Sequence, residues 1–517
     1  MMQEASPARR LLPARILLAY SIVALLVMLA CSWSMPPIEA SGFRQTQTAL
    51  SIDWMMRGGP FLAYLTPVLG APWSIPFEFP LFQWLAAMLA KATGLSADNS
   101  GRLLSTLFHL GCIWLVHRIC WEVRRDRVLA LCVAGAFAVS PSAQFWGRSV
   151  MMESTAVFFG LLFVWSMARL YRQPRAWVGA VAIIAAVLGA LVKITTFFGF
   201  AAFTLLTVAW VVLREHGWRP RWLAAHWTLL GWGALAAFAA LAAILWWLQH
   251  ADALKAQSVL GAQVTSANLG AFNYGSLQQR LDPATWSALF KKRFSAPVGS
   301  NWVFVLFIAA GLSIRRIRVP VLVLLLGYLL PMAVFTNLQL VHPYYQVAQL
   351  VLGTSIVGLV LWWLVERGEA AGTPRRAIAL AVFLCLLSAG FGLVKSLKDM
   401  KEAREPTRIS QIAALIRAGT PEQGVVVAFG DDWSSELPYR SGRRAVMIPD
   451  WAADTALAAL AHTDDALGGL PLAALVECPN NVGTSPERAQ WQAAIVQRYA
   501  QGVPAQEIGG CRLWLHR

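Results

Sequence analysis

Apolar runs near the length that carries an α-helix across about 30 Å of hydrocarbon recur through the first 395 residues of the chain. This pattern restricts the fold most strongly, because backbone facing lipid must satisfy its own hydrogen bonds and a helix does so within one segment. Spans are predicted at 15–34, 102–121, 128–143, 154–171, 177–192, 195–213, 222–249, 298–314, 319–336, 347–365 and 377–395, eleven in all. Composition agrees. Of the residues 57% are hydrophobic and 14% charged, and mean hydropathy is +0.54, whereas soluble domains carry about 25% charged residues.

The net charge of +16 would suit a nucleic-acid partner, but its placement argues against one. Alternate connections hold Arg9, Arg10 and Arg15; Arg118, Arg124, Arg125 and Arg127; Arg169, Arg172 and Arg175; Arg214, Arg219 and Arg221; Arg315, Arg316 and Arg318; and Arg367, Arg375 and Arg376. These nineteen cations stand against six acids, Glu4, Glu122, Asp126, Glu215, Glu366 and Glu369. Excess positive charge in short loops of one side marks the cytoplasmic face. The N-terminus is therefore expected in the cytoplasm, and the odd span count puts the C-terminus outside. The first span follows a basic stretch as a signal peptide does, but its run is too long and ten spans follow it. No phosphate loop, dinucleotide fingerprint, metalloprotease motif or zinc spacing occurs.

After about Ser396 the spanning runs stop, and the remainder holds 12 Lys and Arg against 14 Asp and Glu. Strands are predicted at 424–430, 445–450, 472–476 and 511–515, with helices at 405–417, 451–462 and 486–500. This alternation predicts a small α/β domain over 396–517, outside the membrane. Of the seven cysteines, Cys478 and Cys511 fall there, and an oxidising compartment would pair them.

Residues 35–101 form the first outside loop. Pro36-Pro37 ends the first span, Glu39 follows, and then GFRQTQTALSIDWMMRGG. From Phe43 to Arg57 a helix is predicted, with Phe43, Leu50, Trp54 and Met55 on its apolar side and Gly58-Gly59 as its stop. It is too short and polar to span, so it is expected in the interface plane. A second such piece follows the proline-rich stretch 67–84.

An acid just after the first span, interfacial helices, a Phe-Glu-x-Pro element at Phe77-Glu78-Phe79-Pro80 and an outside domain after the membrane part resemble the C-type glycosyltransferases. The lipid A aminoarabinose transferases and protein O-mannosyltransferases are the nearest types. The resemblance covers about 15–395, is strongest over 36–200, and rests more on motif order than on any single motif. It implies an α-helical polytopic membrane protein with the C-type fold over 1–395. It also implies transfer of a sugar from a polyprenyl-phosphate carrier to a lipid, glycan or protein acceptor. The implied location is the outer face of a bacterial inner membrane, with no nucleic-acid partner.

Such chemistry needs cations for a lipid-phosphate leaving group and a carboxylate to take or orient the acceptor's proton, since a carboxylate in a partly dehydrated site is a better base. Direct displacement inverts the anomeric centre. Glu39 is the candidate base; relatives often have Asp-Glu here, where this chain has Ile38-Glu39, and the bland reading is an ordinary acid at a span end. Glu78 matches the family acid that orients acceptor or helps hold a metal. The lysine that follows it in relatives is Phe79 here. Arg44 is a further substrate-binding candidate beside these.

Glu153 matches an acid at the start of the fourth span, and Arg148 could grip the carrier phosphate bidentately or close a hairpin by pairing with Glu153. Lys193 stands nearly alone among apolar residues and matches a lysine of the relatives. An ionisable residue at membrane depth is a functional hypothesis by default, against snorkelling to the interface. His342, Tyr344 and Tyr345 match a His and paired Tyr near phosphate and sugar, although interfacial Tyr also anchors membranes. Arg280 and Lys291-Lys292-Arg293 could meet the carrier head or be a solvated face. No cofactor is required. A divalent metal could take part, with Glu78 and His342 as thin ligands. The competing reading is a transporter or flippase of lipid-linked sugars, but inverted halves with broken helices are not evident.

Overall fold

The structure, a computed structural model, describes residues 7–39, 41–217, 225–370, 375–479 and 485–517. Glu4, Arg219, Arg221 and the first residues of the predicted span 222–249 lie outside these, as do the side chains of Arg9, Arg10 and Glu369. The chain divides into two compact units that do not follow chain order. The first comprises Met1–Ser34, Arg102–Leu245 and Gly270–Lys398, the second Met35–Gly101, Trp246–Leu269 and Asp399–Arg517.

The first unit is built from helices, most of them apolar: α1 (Pro7–Ser32), most of α4 (Ala97–Arg124), α5 (Arg127–Val139), α6 (Pro141–Trp146), α7 (Glu153–Arg172), α8 (Ala176–His216), the first two thirds of α9 (Trp227–Lys255), α10 (Asn301–Ser313), α11 (Arg318–Val334), α12 (Thr336–Val341), α13 (Val347–Ala370) and most of α14 (Arg375–Glu402). Among the described residues seven helices are long and apolar enough to cross a membrane, and three shorter apolar helices, α5, α10 and α11, coincide with further predicted spans. The sequence reading of eleven exceeds that count partly because spans 177–192 and 195–213 are one helix, α8. It is broken only at Lys193, whose backbone is extended (φ −164°, ψ 96°). An extended residue interrupts the i→i−4 ladder and so places a bend there.

Small residues let the helices approach closely, as lipid-embedded bundles require. A Cβ on Gly358 of α13 would lie 2.5 Å from the backbone of Val133 in α5. Around this contact Trp362, Tyr328 and Phe304 are fully buried.

The second unit contains α2 (Gly42–Met56), α3 (Leu81–Thr93), α15 (Arg408–Gly419), α16 (Glu436–Ser441), α17 (Asp454–His462) and α18 (Pro486–Ala500). Its sheet comprises β1 (Val425–Phe429), β2 (Arg444–Ile448), β3 (Leu472–Glu477), β4 (Gln506–Ile508) and β5 (Cys511–Leu515), in the order β2-β1-β3-β5-β4. β1 runs parallel to β2 and β3, while β5 is antiparallel to β3 and β4. β1 is buried along its whole length, as a central parallel strand covered on both faces must be. Cys478 and Cys511 form a disulfide between the end of β3 and the start of β5.

The first loop therefore packs with the C-terminal segment, where the sequence reading grouped it with the membrane helices. The reason is an exposed strand edge, which invites pairing unless it is covered. Pro67 O accepts from Ala445 N (3.0 Å), Val68 O from Met447 N (2.8 Å), and Gly70 N donates to Ala445 O (3.2 Å). The proline-rich stretch thus lies along β2 and closes the sheet's edge.

The helix α2 also differs from expectation. Beside Leu50, Ile52 and Met55 it buries Gln45, Thr46, Gln47, Thr48 and Ser51, so it is not a one-sided surface helix. It packs on α3 and α16. Its polar side chains find local acceptors, such as Thr48 Oγ1 on Arg44 O (3.1 Å) and Ser51 Oγ on Gln47 O (3.1 Å).

Candidate functional site

In the first unit the bend of α8 delivers Lys193 to the start of α7. Lys193 Nζ donates to Glu153 Oε1 at 2.5 Å, and the two side chains are 3% and 1% exposed. Two buried charges are tolerable only as a well-made pair with further polar support. Aromatic faces add to it, because Lys193 Nζ stands 4.3 Å from the ring centroid of Tyr345 and 4.8 Å from that of Tyr344, both within cation–π range. His342 stacks on Tyr344 at 5.1 Å between centroids. The structure therefore brings together Glu153, Lys193, His342, Tyr344 and Tyr345, of which Glu153 and Tyr345 are 192 residues apart in the chain.

The turn that carries the tyrosines is held by buried amides. Gln339 Nε2 donates to Tyr345 O (3.3 Å), and Gln349 Nε2 donates to Gln339 Oε1 (3.0 Å), as does Gln346 Nε2. Arg293, a candidate phosphate ligand by sequence, instead closes the C-terminus of α12. It donates to Gln339 O, Leu340 O and Val341 O at 2.8–3.1 Å, where helix carbonyls lack partners of their own. Arg280 likewise donates to Tyr274 O and Val334 O. Both serve the loop's architecture.

Arg148 lies in the link between α6 and α7 and is fully buried, its guanidinium 5.1 Å from the Phe145 centroid. The neighbouring Trp146 ring is 6.1 Å from that of Tyr344. Gly147 allows this link to sit close to α4, since a Cβ there would fall 2.7 Å from the His109 ring and 2.6 Å from Ala143 O. Ser105 Oγ fixes the link from α4, donating to Ser149 O (2.6 Å) and Met151 O (3.0 Å). One turn before Ser105 on the same face stands Arg102, also fully buried. The sequence reading passed over Arg102 as the first residue of a span. The available signal was an arginine opening an apolar run at the expected outer face.

In the second unit Glu39 is 2% exposed and lies in the turn before α2. Its carbonyl accepts from Gln45 Nε2 (2.8 Å), and Ser41, at the left-handed φ of 64°, turns the chain into the helix. Arg44 donates to Glu78 and to Gln47, and Glu78 O accepts from the Tyr64 hydroxyl (3.2 Å). Burial, reinforced by the Glu78 charge, holds the Tyr64 phenol well above its usual range. Tyr64 is thus a neutral donor at any working pH.

Among the described residues no group of three or more His, Cys, Asp or Glu side chains gathers as a metal site. Glu78 already receives a guanidinium, and His342 stacks face-on with Tyr344.

The chain has the fold of the C-type membrane glycosyltransferases. It is similar over 96% of its length, and 97% of the other chain, to ArnT from Cupriavidus metallidurans bound to undecaprenyl phosphate, at 13% identity and a TM-score of 0.63. The apo form of that protein gives 0.61 with the same coverage and identity. The mycobacterial arabinofuranosyltransferase AftD gives 0.52 at 14% identity, covering 96% of this chain and 40% of that longer one. No family model and no curated protein sequence matches.

Proposed function

We propose that this protein is a membrane glycosyltransferase that moves a sugar from a polyprenyl-phosphate carrier to an envelope acceptor at the periplasmic face. The observation that carries the reading is the buried Lys193–Glu153 pair framed by Tyr344 and Tyr345, within a fold whose solved example holds undecaprenyl phosphate. In this reading Lys193 receives the carrier phosphate as a point charge, and Arg148 receives it through its planar fork. Tyr345 and His342 donate to phosphate or face the sugar, and Glu153 orients Lys193. Glu78 fixes Arg44.

Glu39 takes the acceptor's proton as the acceptor oxygen attacks the anomeric carbon. The bond from that carbon to the carrier oxygen breaks, and polyprenyl phosphate leaves with the electron pair. Each turnover inverts the anomeric centre. The acceptor is a lipid, a glycan or a protein, and the reaction is assigned to the inner membrane.

Purified protein given a radiolabelled polyprenyl-phosphate sugar and crude envelope acceptors should form labelled product. Glu39→Gln should abolish transfer while leaving the thermal transition unchanged. Labelled carrier that crosses a vesicle with no new glycosidic bond would replace this reading with a flippase.

A further inference from the structure

A separate site lies at the charged ends of α10, α11 and α13, on the face the sequence assigns to the cytoplasm. There a cleft of about 670 Å³ is lined by Arg315, Arg316, Arg367, Trp363 and Glu366 among others. Loose surface cations would need no explanation beyond membrane topology, but these are placed. Arg316 Nη1 donates to Glu366 Oε2 at 2.6 Å. Its guanidinium also stands 5.0 Å from the ring centroid of Trp362, and that of Arg124 stands 4.8 Å from the same ring. Trp362 is fully buried and donates its indole N–H to Asp126 Oδ2 (2.8 Å). Asp126 Oδ1 in turn caps α5 by accepting from Val128 N and Leu129 N. Arg367 lies 5.2 Å over the Trp363 ring, while Arg315 and Arg367 are exposed.

We infer that this cleft binds the phosphodiester headgroup of an anionic glycerophospholipid of the cytoplasmic leaflet. Three guanidinium groups face it with one carboxylate. The planar donor fork matches phosphate oxygens in pairs. α10 and α11 expose Leu306, Leu322 and Leu326, apolar surface that acyl chains can cover, and Trp363 suits the headgroup level. Basic pockets between spanning helices on this face select anionic lipids through such contacts. Glu366 orients Arg316 and discriminates against a second negative charge in its own corner. The donor carrier plays no part in this site.

The test is lipid retention by the full-length protein in detergent, read by native mass spectrometry with dioleoylphosphatidylglycerol and dioleoylphosphatidylcholine. One phosphatidylglycerol should be retained in preference to phosphatidylcholine. Arg315→Gln with Arg367→Gln should weaken that binding roughly 30-fold, from the electrostatic contribution of two arginines. Arg172→Gln with Arg214→Gln removes the same charge from the same expected face outside the cleft and should leave binding unchanged. Equal losses in both double variants, or equal retention of the two lipids, would overturn the inference. Displacement of the lipid by glycerol phosphate alone would reassign the cleft to a soluble phosphate compound and also overturn it. Retention is read without turnover, so its outcome is distinct from that of the transfer assay.

Discussion

Lys193→Met and Glu153→Gln, singly and together, probe the buried pair directly. Each side chain is almost wholly excluded from water, so removing one charge leaves the other buried without its counter-ion. Such a loss costs about 3–5 kcal/mol. Lys193→Met also forfeits two aromatic contacts, each about 0.5–2 kcal/mol, so it should be the worse of the two. With both changed, Met and the neutral amide fill similar volume and no charge remains. The double variant should then lie about 2–3 kcal/mol above the sum of the singles, as coupled neighbours do. Denaturation by increasing sodium dodecyl sulfate in mixed micelles, followed by tryptophan fluorescence, measures all four species. If the double variant is additive within about 0.5 kcal/mol, the pair is not the unit described. The same double variant separates structure from function, because it should remain folded yet lose carrier binding at least tenfold, the equivalent of one charge-assisted hydrogen bond.

Several other outcomes can be measured. Burial pushes the Asp431 carboxyl up to about 6, with Glu436 and Asp432 adding to the rise and Arg408 opposing it. The folded chain therefore keeps a proton that the unfolded chain releases near the ordinary value of 3.8. Stability falls as pH climbs from about 4 to 6, by at most roughly 3 kcal/mol, and Asp431→Asn should flatten that slope in Tm against pH. The disulfide Cys478–Cys511 closes 33 residues, and its loss as Cys511→Ser should cost about 3–4 kcal/mol. Peptide mapping without reductant should recover the linked pair, and two free thiols would contradict it. Gly147→Ala should cost about 1–3 kcal/mol through the clash with His109, seen as a lowered Tm; an unchanged Tm would show that the link to Arg148 can move.

Long apolar helices were readable from the sequence because lipid leaves the backbone no other regular solution. Lys193 was readable for the converse reason, as a cation with no place in such a run. What periodicity could not show was that Lys193 sits at a bend in one helix, because an extended residue leaves no mark on the hydropathy pattern. Arg102 was hidden by standing where spans ordinarily begin. For Arg280 and Arg293 the choice between the carrier head and a solvated face could not be made from sequence, since carbonyl partners at Val334, Gln339 and Leu340 come from segments 46–54 residues further along the chain. In the α/β part, four strands were legible as apolar runs. The three-residue β4 was too short and exposed to register. The proline-rich stretch at 67–70 gave no strand signal either, because its role is to pair with the edge of β2, a tertiary fact.

A structure of the protein in a lipid nanodisc with undecaprenyl phosphate bears most directly on the transferase reading. The phosphate oxygens should lie about 3 Å from Lys193 Nζ, with the Tyr345 hydroxyl turned toward them. Phosphate density elsewhere, with Lys193 still closed on Glu153, would contradict it.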